Sequence, residues 1–189
     1  MNQPLTQPRL LIACIGNIFL GDDGFGVEVA RRLAQRPLPA EVTLKDFGIR
    51  GLDLTYALLD PYEVVILVDA CPRGGAPGTL YLLEPDPLDL DAPNGVNTGV
   101  NIGIEAHSVN PLSVLRIVRS MGGASGRIFI LGCEPGDLGL DAEDGGKLGL
   151  SHPVLAAVDE ALSMLDTLIS TSLNNLSTEP ARHLHLEYQ

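Results

Sequence analysis

Residues 10–33 read LLIACIGNIFLGDDGFGVEVARRL, and this stretch decides the fold. It opens on an apolar run, Leu10 to Ile15, of the length of a strand buried on both faces. It closes with Val27, Val29, Ala30 and Leu33 at helical spacing. Gly16, Gly21, Gly24 and Gly26 lie between and let the chain turn sharply. A strand, a glycine-rich turn and a helix form a βα unit, and in open α/β sheets such a turn faces the crevice beyond the carboxyl ends of the strands, where ligands bind. The spacing Gly16-x4-Gly21 is that of a phosphate loop, but Asp22 and Asp23 stand where that loop needs Lys and Ser or Thr. The dinucleotide fingerprint fails as well, because Cys14 occupies the place of its first glycine and no third glycine falls at the right spacing. Two carboxylates repel phosphate and invite a cation. One of the pair is expected to cap the helix that follows, which leaves the other for chemistry.

The next segments repeat the alternation. Residues 42–47 read as a second strand ending in Asp46-Phe47-Gly48, and Leu52, Leu54, Leu58 and Leu59 mark a short helix before Pro61. Val64-Val-Ile-Leu-Val68 is the clearest buried strand of the chain, and it terminates in Asp69. An aspartate at the carboxyl end of a buried parallel strand sits where these sheets hold ligands, although as many such residues only cap a neighbouring loop. Residues 79–83 predict a further strand, placed at an edge by the proline-rich Glu84-Pro-Asp-Pro87. A long Pro-, Asp-, Asn- and Gly-rich loop is expected over 84–101.

His107 precedes a helical pattern through Leu112, Leu115, Ile117 and Val118, with Ser108 or Asn110 as N-cap and Pro111 in the first turn. A lone histidine there is more often an ordinary loop residue. Set beside the two strand-end carboxylate sites, it completes a ligand set suited to zinc, nickel or a similar first-row ion, and the same groups can activate water without a metal. Arg127–Cys133 is another buried strand, and Glu134-Pro-Gly136 opens a second glycine- and Asp-rich loop. A long final helix starts at Ser151-His152-Pro153, capped by Ser151. One domain over 1–171 is expected, followed by a polar, flexible tail over 172–189, in which His183 and His185 carry no assigned role.

Composition narrows the classes further. At 189 residues with 45% hydrophobic residues, 21 glycines and no tryptophan, the chain suits a single α/β core that buries about 70% of its unfolded surface. Twelve basic against 24 acidic residues give a net charge of −12, with no basic cluster, so nucleic acid and anionic membrane are poor partners. Cys14, Cys71 and Cys133 are odd in number, fall in or just after apolar runs and form no CxxC pair, which points to reduced thiols, no thiolate zinc site and a cytoplasmic setting. No signal segment and no run of membrane-spanning length is present in the sequence, so no membrane insertion is expected.

With Gly16-Asn17-Ile-Phe-Leu20-Gly21-Asp22-Asp23-Gly24-Phe25-Gly26-Val27, the strand-end Asp69 and His107 before a helix, the sequence resembles the hydrogenase maturation endopeptidases. The resemblance implies a three-layer αβα sandwich around a twisted, mostly parallel five-stranded sheet. It also implies the activity: removal of a C-terminal extension from the large-subunit precursor of a nickel-iron hydrogenase once nickel has been inserted. Carried over by motif, the metal-contacting and hydrolytic residues fall on Asp23, Asp69 and His107. The resemblance further implies that the nickel is brought by the substrate and serves as the recognition signal, and that zinc or cadmium can occupy the same site in vitro. Two positions depart from the family pattern. Cys14 replaces the first glycine of Gly-x-Gly-Asn, and Asp46-Phe-Gly48-Ile49-Arg50-Gly51 stands for Asp-x-Gly-Thr-x-Gly, which bears on substrate selectivity. The alternative class is a non-proteolytic chaperone that holds nickel or the precursor without cutting it.

Overall fold

The computed structural model describes residues 9–86, 111–123, 126–140 and 146–178. In chain order the elements are β1 (Leu10–Ile15), a 3-10 turn (Gly21–Gly24), α1 (Phe25–Leu33), β2 (Val42–Gly48), α2 (Gly51–Ala57), β3 (Val64–Ala70), β4 (Leu80–Leu83), α3 (Pro111–Ser120), β5 (Arg127–Cys133) and α4 (His152–Thr178). The strands form one five-stranded sheet in the order β2-β1-β3-β5-β4, parallel throughout except for β4, which runs antiparallel to β5 at the edge.

The alternation of side chains along β1 divides the core in two. Leu10, Ile12 and Cys14 face one side, with Phe25, Val29 and Leu33 of α1 and Val154, Val158, Leu162 and Leu165 of α4. Leu11, Ala13 and Ile15 face the other, with Leu54 of α2 and Val114, Leu115 and Val118 of α3. Because both faces are covered, β1 and the first six residues of β3 are buried at every position, which is why their sequences are continuous apolar runs without polar alternation. The result is the three-layer αβα sandwich, with a mostly parallel sheet in the middle.

The expected elements are in place, with three differences. The antiparallel strand is shorter by one residue at its start, and α2 ends at Ala57, short of Leu59. The last helix runs through Thr178, past the boundary expected at residue 171. Ser172 is buried, Leu173 and Leu176 pack against the core, and the Arg9 guanidinium donates to the Leu176 carbonyl at 3.2 Å. A polar composition concealed a helix that is apolar on only one face. The segment holding His107, the N-cap candidates Ser108 and Asn110 and most of the 84–101 loop lies outside the described residues, as do His183 and His185.

The strand order reverses direction between β1 and β3, since β2 lies to one side of β1 and all later strands to the other. A crevice opens at such a switch point. Gly26 brings α1 directly onto it: a Cβ there would stand 2.1 Å from the Ile15 carbonyl oxygen and 2.5 Å from that of Val68. Only glycine allows the helix to begin this close to the ends of both strands.

Candidate active site

The turn after β1 is built around Gly16, whose φ of 146° belongs to glycine and whose Cβ position would lie 2.0 Å from the Asp23 carbonyl oxygen. The chain therefore doubles back on itself. The Asn17 N–H donates to the Asp23 carbonyl at 3.2 Å and to its Oδ2 at 2.9 Å, while the Phe19 N–H donates to Asn17 Oδ1 at 3.0 Å. These bonds orient the half-buried Asp23 carboxylate. Neither aspartate of the turn caps a helix through its side chain, contrary to the expectation that one of them does.

Asp22 has a different task. It is fully buried, and its Oδ2 accepts hydrogen bonds from the N–H groups of Gly136 (2.7 Å) and Asp137 (2.8 Å) and from the Ser151 hydroxyl (2.8 Å). Its Oδ1 accepts from the Ser151 N–H at 2.6 Å. The carboxylate clasps the loop after β5 and the start of α4 to the turn after β1. Gly21, donating to the Lys147 carbonyl at 2.7 Å, and Lys147, donating to that of Phe19 at 2.8 Å, add to the seam. The Ser151 carbonyl still accepts the first helical bond from Leu155, but its hydroxyl serves Asp22 instead of capping α4.

Asp69 ends the apolar run of β3, pairs in register with Gly132 of β5 and is 8% exposed. Its Oδ1 accepts from the Ala70 N–H at 2.9 Å. Burial pushes its pKa well above the ordinary carboxylate range, the negative charge of Asp23 pushes the same way, and the Ala70 hydrogen bond only partly offsets them. The two carboxylates thus face each other electrostatically across the switch point, one on the turn after β1 and one at the end of β3. A carboxyl that holds its proton more tightly than usual beside a second carboxyl is an arrangement suited to acid-base work. It is equally a site that gains from an arriving cation.

Sequence reasoning overlooked Glu134, although it carries the same signal as Asp69, a carboxylate directly after a buried strand. It is 5% exposed and accepts from the N–H groups of Arg73 (2.8 Å) and Gly74 (3.1 Å) and from the Tyr81 hydroxyl (2.8 Å). Burial disfavours its charge, but the Arg73 N–H, the Tyr81 hydroxyl and the N–H groups of Gly75 and Gly74 outweigh that and hold its pKa below the usual range. Glu134 ties the loop after β3 to β4, which frames one side of the crevice. The cysteines offer no nucleophile. All three are free and buried, burial raises each thiol, and Cys133 is pushed up to about 12 by burial with help from Asp22 and Glu134.

Among the described residues no three His, Cys, Asp or Glu side chains are grouped closely enough to hold a metal ion. The structure brings Asp23 and Asp69 together, and the third expected ligand, His107, lies outside the described residues. Two carboxylates alone do not form a closed structural metal site.

A mostly parallel αβα sheet with two aspartates at its switch point, and with aspartates in place of phosphate-binding residues, defines an α/β protein whose crevice is not a phosphate-binding one. Comparison with known proteins gives its family. A family model described as hydrogenase maturation protease matches residues 27–167. The hydrogenase expression/formation protein HupD of Rhodobacter capsulatus is 34% identical over 137 residues, which cover 71% of this chain and 61% of that protein. HupD of Rhizobium leguminosarum bv. viciae is 32% identical over 160 residues, covering 84% of this chain and 73% of that one. The solved structure of HybD, a hydrogenase-maturating endopeptidase of Escherichia coli, superposes with a TM-score of 0.71 at 26% identity, over 87% of this chain and 93% of HybD. The chain belongs to the hydrogenase maturation protease family, and so to a family of peptidases.

Proposed function

We propose that this protein is the endopeptidase that removes the C-terminal extension of a nickel-iron hydrogenase large-subunit precursor after nickel insertion, with the substrate-bound nickel as its recognition signal. The observation that carries this reading is the buried Asp69 held in the field of Asp23 at the switch point. Two carboxylates placed together in a crevice repel one another, and a divalent ion delivered by the substrate relieves that repulsion. Asp23, Asp69 and His107 contact the nickel of the docked precursor and thereby fix the scissile bond beside them. Holding bond and catalytic group together can replace on the order of 7–11 kcal/mol of the barrier of a bimolecular encounter in favourable systems. The water is activated by a carboxylate or by the substrate's metal, and the high pKa of Asp69 suits a proton carrier.

An incomplete site also gives selectivity. A precursor without nickel leaves the carboxylates unpaired and so binds poorly, which restricts cutting to finished substrate. The setting is cytoplasmic, in keeping with the three free thiols. The test is incubation of the purified protein with nickel-loaded and nickel-free precursor, followed by intact mass measurement. The loaded precursor should lose its extension and the nickel-free one should not. Asp23→Asn, Asp69→Asn and His107→Ala should each fold and fail to trim. Equal trimming of both precursors would refute the recognition step, and an unchanged mass with tight binding of free nickel would identify a chaperone.

A further inference from the structure

At the carboxyl ends of the strands a row of three positions crosses the sheet. Asp69 of β3 is in register with Gly132 of β5, and Gly132 is in register with Tyr81 of β4. The alternation that sends Leu67 and Ile130 to the layer of α2 and α3 sends all three of these positions to the same side. Neighbouring strands lie about 4.8 Å apart, so the Cα atoms of Asp69 and Tyr81 stand about 10 Å apart along the row. Gly132 puts no side chain between them. Cys71 fills that place, with its sulfur 3.2 Å from where a Cβ on Gly132 would be.

Arg73 lies at the Tyr81 end of the row. Its guanidinium stands over the Tyr81 ring, 5.5 Å from the centroid, and its side chain reaches the Cys71 sulfur, which lies in the fields of both Asp69 and Arg73. The main chain beneath it is pinned, because Glu134 accepts from the N–H groups of Arg73 and Gly74 and from the Tyr81 hydroxyl. Other arginines of the chain are engaged by carboxylates, as Arg31 and Arg32 are by Glu28 and Arg50 by Asp53. Among the described residues the Arg73 guanidinium is in no ion pair. A planar cation held by a ring and a pinned loop is set to receive an anion from outside the chain.

We infer that Arg73 is a further catalytic residue: its guanidinium meets the oxygen of the scissile carbonyl and stabilises the negative charge that hydrolysis builds there. This rests on the reading of the protein as the precursor's endopeptidase. The charge follows from the chemistry. A water oxygen bonds to the carbonyl carbon and gives a proton to a carboxylate of the site, while the carbonyl π pair moves onto the oxygen. The carbonyl then re-forms, the C–N bond breaks, and the leaving nitrogen takes that proton. The new acid passes its own proton to the amine, so the products are a carboxylate and an ammonium. Asp23 and Asp69 oppose negative charge on the substrate, and a site built on them alone would work against its own transition state. A carbonyl seated along the row between Asp69 and Tyr81 has a carboxyl on one side and a cation on the other, which offsets that opposition where the charge develops.

The experiment uses the full chain in saturating excess over nickel-loaded large-subunit precursor, so that a single round of trimming is timed. Arg73 is exposed, and Arg73→Ala should melt with wild type. Its trimming rate at saturation should fall about 100-fold, with the half-saturating concentration unchanged. Guanidinium chloride below unfolding concentrations should restore part of the rate, whereas equal urea or sodium chloride should not. Arg73→Lys, which keeps the charge and loses the planar fork, should fall less than Arg73→Ala. Wild-type trimming overturns the inference and leaves the proposed function standing if the Arg73→Ala rate is within about two-fold of it, if only the half-saturating concentration changes, or if the loss is not relieved by guanidinium. Absence of trimming by the wild-type protein overturns both.

Discussion

Asp69 is an aspartate that the fold makes uncomfortable when ionised. Burial and the charge of Asp23 raise its pKa, so the folded chain holds this proton more tightly than the unfolded chain does. Stability of the unliganded protein therefore falls as pH rises from the ordinary carboxylate range through the raised value of Asp69. Asp69→Asn should remove that penalty, giving a higher Tm at pH 7 and a flatter pH dependence, together with loss of trimming. Thermal melts from pH 4 to pH 8 on both proteins check it, and a variant less stable than wild type at pH 7 would contradict the assignment. Gly26 is uncomfortable in another sense. With backbone oxygens 2.1 and 2.5 Å from its Cβ position, Gly26→Ala must push α1 off the sheet. The expected loss is about 3 kcal/mol or more by urea unfolding.

At the scale of elements, two buried carboxylates hold the segments that follow β3 and β5. Asp22 accepts four hydrogen bonds from the loop after β5 and the start of α4, and Glu134 fixes the loop after β3. Asp22→Ala leaves three backbone N–H groups and a hydroxyl without their acceptor and should cost about 3 kcal/mol. Asp22→Asn, which keeps an accepting oxygen, should cost clearly less. Limited proteolysis is expected to cut the Asp22→Ala protein first at residues 136–151, and resistance equal to wild type would remove the clasp from the account. Doubling of the aspartates thus has a physical division of labour: one is turned inward to hold loops, and the next accepts from the Asn17 N–H and acts electrostatically on Asp69.

At the scale of the whole molecule, α4 spans one face of the sheet and continues beyond the polar boundary at residue 171. Removing residues 172–189 strips Leu173 and Leu176 from the core and should lower stability by about 2–4 kcal/mol. Urea unfolding of the truncated chain measures this. Because the crevice lies at the opposite end of the strands from Leu176, which is held beside Arg9 at the start of β1, trimming by the folded fraction should persist. No helix among the described residues is long and apolar enough to cross a membrane, in keeping with the charge of −12.

The sequence by itself determined the sheet and singled out two of the candidate site residues. Runs such as Leu10–Ile15 and Val64–Ala70 are apolar at nearly every position because both faces of a parallel strand are covered, and that pattern is local enough to read directly. The same holds for Asp23 and Asp69 as candidates, since each directly follows such a run or its turn. Tertiary structure alone decided which aspartate of the pair turns inward, because the partners of Asp22 lie more than a hundred residues away at Gly136, Asp137 and Ser151. It also decided that Glu134 closes a loop and that Ser151 gives its hydroxyl to Asp22. Side-chain periodicity encodes which face of an element is buried, whereas the choice of a distant hydrogen-bond partner exists only once the chain has brought the two groups together.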